Sequence, residues 1–393
     1  MLFLISELLV WTLAKLPNNV GFMHMLRILI SLLVSSLYAA PGFAQVNLVV
    51  TGQALSSTGT PLQEQAGIYS AKWLRSSPDI RVESFSKIDF IVAKDGSGDF
   101  RTIQEAVSAC RDYAERRYAI FVRKGAYEEK LDIPSWKTHI SIIGEDVDST
   151  LIVYNDYSGK IGGEGKKLTT FTSFTCKVSG SDILFENITF VNSAGRVGQA
   201  VALHVEGDRC VFRNCKLVGN QDTLFAAGDH NRQYYLDCTI EGTTDFIFGS
   251  ATAVFERCTI KSKKNSYITA ASTSPQQAYG FVFLKCRLIA DTSVTKVYLG
   301  RPWRLNAYTA FVQCEMGPQI ISEGWHNWNK PEAEQRARYI ECGNFGPGAN
   351  AIGRVAWSHQ LSEENAGTFA LKNVFGGFDN WDPGLSNADQ TGK

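Results

Sequence analysis

Between Phe185 and Cys342 the chain repeats one short pattern of apolar and polar positions. An aromatic residue is followed by two positions, the second of them polar, and then by a cysteine. The copies are Phe212-Arg213-Asn214-Cys215, Tyr235-Leu236-Asp237-Cys238, Phe255-Glu256-Arg257-Cys258, Phe283-Leu284-Lys285-Cys286, Phe311-Val312-Gln313-Cys314 and Tyr339-Ile340-Glu341-Cys342. Phe185-Glu186-Asn187-Ile188 is the same pattern with isoleucine in the last place. A mostly polar residue follows the cysteine, and after it comes Leu217, Ile240, Ile260, Leu288 or Met316. That alternation is the period-two signature of a strand with one buried face. The copies lie 27, 23, 20, 28, 28 and 28 residues apart, and nothing between residues 180 and 345 carries a helical period with proper caps. One short strand per unit, with Gly and Asn at the corners, predicts a solenoid. The expected fold is all-β, a parallel β-helix with the cysteines stacked inside it.

Ahead of the repeat, Thr102-Ile103-Gln104-Glu105 forms a capping box, and Ile103, Ala106, Val107 and Cys110 follow at helical spacing. One amphipathic helix there is the expected cap over the open end of the solenoid. Further upstream, Arg27, the apolar run Ile28 to Ala40 and the small-x-small triplet Gly42-Phe43-Ala44 match a secretory signal peptide. The apolar run is too short to span a bilayer. The organisation expected is an N-terminal extension and signal over 1–44, with translation starting at Met1, Met23 or Met25. A linker over 45–88, a β-helix domain over 89–381 and a tail over 382–393 follow. The location expected is secreted or periplasmic, with no stable membrane insertion after signal removal.

Composition narrows the picture less. The 393 residues are 44% hydrophobic and 20% charged, which is ample for a core. Thirty-nine basic residues against 39 acidic ones leave no field for gathering nucleic acid. Nine cysteines in an exported chain would ordinarily suggest disulfides. The repeat spacing instead makes most of them interior packing residues, since a free cysteine behaves as a small hydrophobe. Cys110, Cys176 and Cys210 stay open as bridge candidates.

Candidate chemistry comes from two aspartates. Asp222, in Asn220-Gln221-Asp222-Thr223-Leu224, and Asp245, in Asp245-Phe246-Ile247-Phe248-Gly249, each follow a repeat cysteine by seven residues. If the interval is one coil, the two carboxylates stand in the same phase of neighbouring strands, about 4.8 Å apart. Taken singly, either aspartate reads as a turn residue capping its own backbone. Two in register among apolar residues read as a carboxylate pair, in which like charge raises one pKa and a nearby cation holds the other group ionised. Spacing alone does not place a cation: Arg301 lies 56 residues after Asp245, at a different offset from its nearest cysteine. Tryptophans 303, 325 and 328, flanked by Arg304, His326 and Asn327, read as core residues or as partly exposed platforms.

At these residues the chain resembles the pectin methylesterase (pectinesterase) family. The resemblance runs from Phe90-Ile91-Val92-Ala93-Lys94-Asp95-Gly96-Ser97-Gly98 to about Trp381. It is carried in order by Gly125-Ala126-Tyr127-Glu128-Glu129-Lys130, Thr169-Thr170-Phe171, Gly198-Gln199-Ala200-Val201, Gln221-Asp222-Thr223-Leu224, Asp245-Phe246-Ile247-Phe248-Gly249 and Leu299-Gly300-Arg301-Pro302-Trp303. It implies a right-handed parallel β-helix and hydrolysis of galacturonate C6 methyl esters in pectin. On that resemblance Asp245 is the nucleophile, and Asp222 is the acid and then the base. Gln199 and Gln221 supply the oxyanion hole, Arg301 pairs with Asp245, and Thr170 and Trp303 line the substrate groove. The implied partner is methyl-esterified homogalacturonan, acted on by a monomer.

Two other readings stay beside it. One is a different β-helix pectin enzyme, a lyase or a polygalacturonase; the other is a non-catalytic β-helix carbohydrate-binding protein. A lyase would want a dense acidic cluster for calcium, and a polygalacturonase three inward carboxylates, of which two can be placed. No Gly-x-Ser-x-Gly elbow is present for a serine esterase. No Cys/His cluster has metal-ligand spacing, so neither a metal nor a cofactor is expected.

Overall fold

The structure is a computed structural model that describes residues 87–163 and 165–383. The expected signal peptide, the linker up to residue 86 and the tail from residue 384 lie outside the described residues. What is described is a right-handed parallel β-helix built from three parallel sheets of 11, 8 and 7 strands. Right-handed winding is the sense that parallel crossovers take.

Each coil contributes three strands rather than the one expected. Cys210–Arg213 lies in the first sheet, Lys216–Val218 in the second and Leu224–Ala226 in the third. The next coil repeats this with Arg232–Leu236, Thr239–Gly242 and Ile247–Gly249. Strands of three to five residues present only one or two side chains to the interior. Leu217 is the sole buried residue of its strand, for example. Such strands are too short to show a period on their own. The first-sheet strand stood out only because its inward residue is a large aromatic.

Those aromatics form one stack along the axis. Phe185, Phe212, Tyr235, Phe255, Phe283 and Phe311 follow one another with centroids 5.6, 4.8, 4.7, 4.5 and 4.4 Å apart and rings nearly parallel. Pairs of this kind add about 0.5–1.5 kcal/mol each beyond the area they bury. The polar residue before each cysteine, or before Ile188 in the first copy, has its own reason. Asn187, Asn214, Asp237, Arg257, Lys285 and Gln313 all take left-handed backbone, with φ between 46 and 56°. This bends the chain from the first sheet into the second, at a place where Asn and Asp cost least. The cysteine that follows is buried, and its thiol donates to the carbonyl of the aromatic one coil earlier. Cys238 reaches Phe212 at 3.4 Å, Cys258 reaches Tyr235 at 3.3 Å and Cys286 reaches Phe255 at 3.2 Å. All nine cysteines are buried free thiols, Cys110, Cys176 and Cys210 among them.

The seventh copy departs from the pattern. Its strand runs on through Cys342, and Glu341 is buried, taking two hydrogen bonds from Arg354 and one from Trp325 Nε1. Trp325 is therefore a core residue stacked on Tyr339 at 4.1 Å, not an exposed platform.

A helix closes one end of the described coil, and the C-terminal segment packs on its side. The helix Ile103–Ala109 has the full capping box at Thr102 and Glu105 and buries Ile103, Ala106 and Val107 in the common core. Glu129 adds to its N-terminus, accepting the Ile103 and Gln104 amides at 2.9 Å each, where a helix favours negative charge. Along the side of the coil Phe369, Val374 and Phe375 cover the outward residues Leu184, Val211, Tyr234, Val254 and Val282 of the first sheet. Arg232 ties this segment down by pairing with both Asp208 and Asp379.

Truncating the middle of the stack, Phe255→Ala, is expected to lower the unfolding free energy by about 3–5 kcal/mol in urea titrations. Phe378→Ala, at a fully exposed ring, should change it by less than about 0.5 kcal/mol.

Candidate active site

The site lies where the chain turns from the second sheet into the third. Asp222 and Asp245 occupy that corner in successive coils, two residues ahead of the paired Leu224 and Ile247. Both take left-handed backbone, φ 64° and 48°, which aspartate tolerates better than most residues. The Asp222 amide donates to Thr244 O at 3.1 Å and the Asp245 amide to Tyr267 O at 2.9 Å. Backbone hydrogen bonding thus locks the two corners one strand spacing apart.

The guanidinium of Arg301 meets Asp245 edge-on, Nε to Oδ1 at 2.9 Å and Nη2 to Oδ2 at 2.6 Å. Asp245 and Arg301 sit two strands apart, with Tyr267–Ala271 between them in the third sheet. Tyr298 is the residue level with Tyr267 and Gly300 the one level with Thr269, so Arg301 stands further along and its long stem reaches back. Aromatic faces hold it in place, with its Cζ 4.0 Å from the Tyr267 ring centre and 3.7 Å from that of Trp328. Contact with ring faces leaves the planar edge free for bidentate contact with a carboxylate.

The two carboxyls are therefore chemically unequal. Both are buried, 8% and 6% exposed. Burial pushes Asp222 up to about 8, the Asp245 charge adds to the rise, and Arg301 opposes it only at a distance. Burial also raises Asp245, but the Arg301 hydrogen bonds and charge pull it back. The pair therefore holds its proton on Asp222 in preference to Asp245, whose charged form the guanidinium favours.

Thr170, Gln199, Gln221, Asp222, Asp245, Arg301 and Trp303, the seven residues singled out from sequence, all line one cleft of about 240 Å³. Gln199 and Gln221 face each other across a parallel bridge. Among the described residues neither side-chain amide has a hydrogen-bond partner, so both are available to a ligand. Four more residues line the cleft: Phe171, Phe248, Ala270 and Trp328. Trp328 was visible as a platform, but its packing on Arg301 was not. Phe248 belongs to an outward row on the third sheet, stacked on Phe225 at 4.6 Å, with Trp303 5.8 Å away. Its orientation was hidden because the left-handed corner at Asp245 resets the in-out alternation.

Asp222 holds its proton in the folded chain up to about pH 8, whereas an unfolded aspartate loses it near 3.9. Its burial therefore costs no stability below about pH 4. The cost then grows toward pH 8 by at most about 1.4 kcal/mol per pH unit. Asp222→Asn should melt near wild type at pH 4 and progressively above it toward pH 8. A difference independent of pH would mean that the proton is not on Asp222.

Among the described residues no helix is long and apolar enough to cross a membrane, and no cluster of His, Cys, Asp and Glu is arranged to hold a metal ion. The pectinesterase family profile matches residues 89–377. Pectinesterase 31 of Arabidopsis thaliana is 38% identical over 284 residues, which cover 71% of this chain and 89% of that protein. Of relatives named pectinesterase/pectinesterase inhibitor, the chain spans about half the length. The solved pectin methylesterase from carrot superposes with a TM-score of 0.68 at 34% identity, covering 74% of this chain and 93% of that one. A pectin methylesterase in complex with a hexasaccharide superposes at 0.67 with 27% identity, covering 76% and 99%. The chain belongs to the pectinesterase family and is a carboxylic ester hydrolase.

Proposed function

We propose that this enzyme hydrolyses the C6 methyl esters of galacturonate in pectin, releasing methanol and leaving pectate, with Asp245 as nucleophile and Asp222 as acid and then base. The observation that carries the assignment of roles is the unequal pairing of the carboxyls: Arg301 hydrogen-bonds Asp245 and leaves Asp222 protonated. A polysaccharide substrate is supported by the hexasaccharide bound to the related pectin methylesterase. The aromatic row of Phe225, Phe248 and Trp303 beside the carboxyls suits sugar faces. The apolar run Ile28 to Ala40 after Arg27 supports export, to the periplasm or the exterior.

In the first step a carboxylate oxygen of Asp245 forms a bond to the ester carbon, and the carbonyl electrons move onto oxygen. The side-chain amides of Gln199 and Gln221 donate to that oxyanion, at about 3–4 kcal/mol per donor in comparable sites. Collapse of the tetrahedral species breaks the bond to methoxide, which takes the Asp222 proton and leaves as methanol. Asp222, now a carboxylate, removes a proton from water while the hydroxide attacks the acyl carbon. The C–O bond to Asp245 breaks, the pectin carboxyl is freed, and Asp222 again carries its proton. Arg301 stabilises Asp245 both as the free nucleophile and as the departing group.

The experiment is methanol release from highly methylated pectin by wild type, Asp222→Asn, Asp245→Asn and Gln199→Ala. Asparagine tolerates the left-handed corner as aspartate does, so loss of turnover with a native circular dichroism spectrum reports on chemistry rather than folding. Asp245→Asn should be inactive, and full activity there would sink the mechanism. Removal of the Gln199 donor should lower kcat by about 10²–10³. A lyase would instead build absorbance from an unsaturated product, and a polygalacturonase would release new reducing ends. Because the first step needs Asp222 protonated and Asp245 ionised, kcat/KM should fall as pH rises through about 8.

A further inference from the structure

We infer that Asn192 is a positioning residue that aims the Gln199 amide and sets the Thr170 wall of the cleft. The inference rests on the reading of Gln199 as an oxyanion donor. Asn192 closes the strand Thr189–Asn192 in the second sheet and is 4% exposed. Its Nδ2 lies within hydrogen-bond distance of three main-chain carbonyls, Asp156 at 2.9 Å, Val201 at 3.0 Å and Ser173 at 3.2 Å, which share its two N–H groups. Its Oδ1 accepts the Ala194 amide at 3.0 Å. The three acceptors belong to three separate stretches of chain, each of which leads to the cleft.

Val201 lies two residues after Gln199. Its amide donates to Ser173 Oγ at 3.2 Å, and that hydroxyl donates onward to Thr170 O at 2.7 Å. Asp156 is buried and pairs with Lys130 at 2.7 Å and Lys160 at 2.9 Å. Lys130 also donates to Thr172 O at 2.7 Å, one residue past Phe171. From the same stretch as Asp156, the Ser158 amide donates to Gln199 O at 2.9 Å. Asn192 is thus the joint at which the Thr170–Thr172 turn, the 155–168 excursion and the strand entry at Gln199 are tied together.

Gln199 has little other support on its N-terminal side. The residues from Ser193 to Val197 are mostly exposed, and Gly195 and Gly198 take positive φ. Besides the Ser158 amide on its own carbonyl, its placement depends on the two residues after it, Ala200 bonded to Gln221 O and Val201 held through Ser173 and Asn192. Asparagine suits the joint because a primary amide offers two N–H groups and one acceptor on a short stem. Aspartate would turn an oxygen toward three carbonyls, and serine is too short to reach all of them. An oxyanion donor works only when aimed, and displacements near 1 Å cost about 10²-fold in rate.

A double-mutant cycle on kcat tests this, using Asn192→Ser, Gln199→Ala and the double variant, with methylated pectin as substrate. Asn192→Ser alone should lower kcat by about 10-fold or more and leave the shape of the pH profile unchanged, since it touches neither carboxyl. In the Gln199→Ala background the same change should cost less than about 2-fold, because the group it aims is gone. An equal loss in both backgrounds overturns the inference while the oxyanion reading stands. A Gln199→Ala enzyme with wild-type kcat overturns the reading of Gln199, and this inference with it. If Asn192→Ser does not fold by circular dichroism, Ser173→Ala enters the same cycle. It removes only the hydroxyl bridging Val201 and Thr170, and the same outcomes decide.

Discussion

Parallel, in-register stacking of short coils is the constraint on which everything else in this molecule depends. Each strand is too brief to be stable alone, and its hydrogen bonds run to the coils before and after it. Stacking makes equivalent positions in successive coils neighbours. The aromatic column, the buried thiols bonded to carbonyls one coil earlier and the left-handed corners from Asn187 to Gln313 all follow from that rule. The pair of aspartates at the next corner follows from it as well. A carboxyl pair is costly to bury, and a rigid ladder of backbone hydrogen bonds is what holds it in place.

Stacking by itself makes the two aspartates equivalent, and catalysis needs them different. The difference comes from one side chain outside the repeat. Arg301, held between Tyr267 and Trp328, gives both its hydrogen bonds to Asp245. One buried carboxyl is thereby favoured in its charged form and the other holds the proton. The fold supplies proximity; the arginine supplies polarity.

The cleft walls come from chain that leaves the coil. The 155–168 excursion, the Thr170–Thr172 turn and the loop before Gln199 have no counterpart in the repeat, and the saturated amide of Asn192 gathers them. Chemistry sits on the regular corner, while the groups that shape the substrate's surroundings sit on irregular segments fastened to it.

The sequence by itself determined the repeat, the solenoid, the helical cap and the phase of Asp222 and Asp245. These rest on local periodicity, capping and turn preferences, which a linear pattern records. Resemblance to a family then named the roles of Gln199, Gln221, Arg301, Thr170 and Trp303, all of which line one cleft. The three strands per coil leave no mark in the sequence because strands with a single inward residue, such as that of Leu217, carry no period. Core and platform stay open for Trp325 in the sequence because its partner Glu341 is brought beside it only by folding. Only the tertiary structure decided that Arg301 meets Asp245 and not Asp222, and that Asn192 joins three distant carbonyls. Both are contacts across coils, set by side-chain reach and packing, and neither leaves a trace in the spacing along the chain.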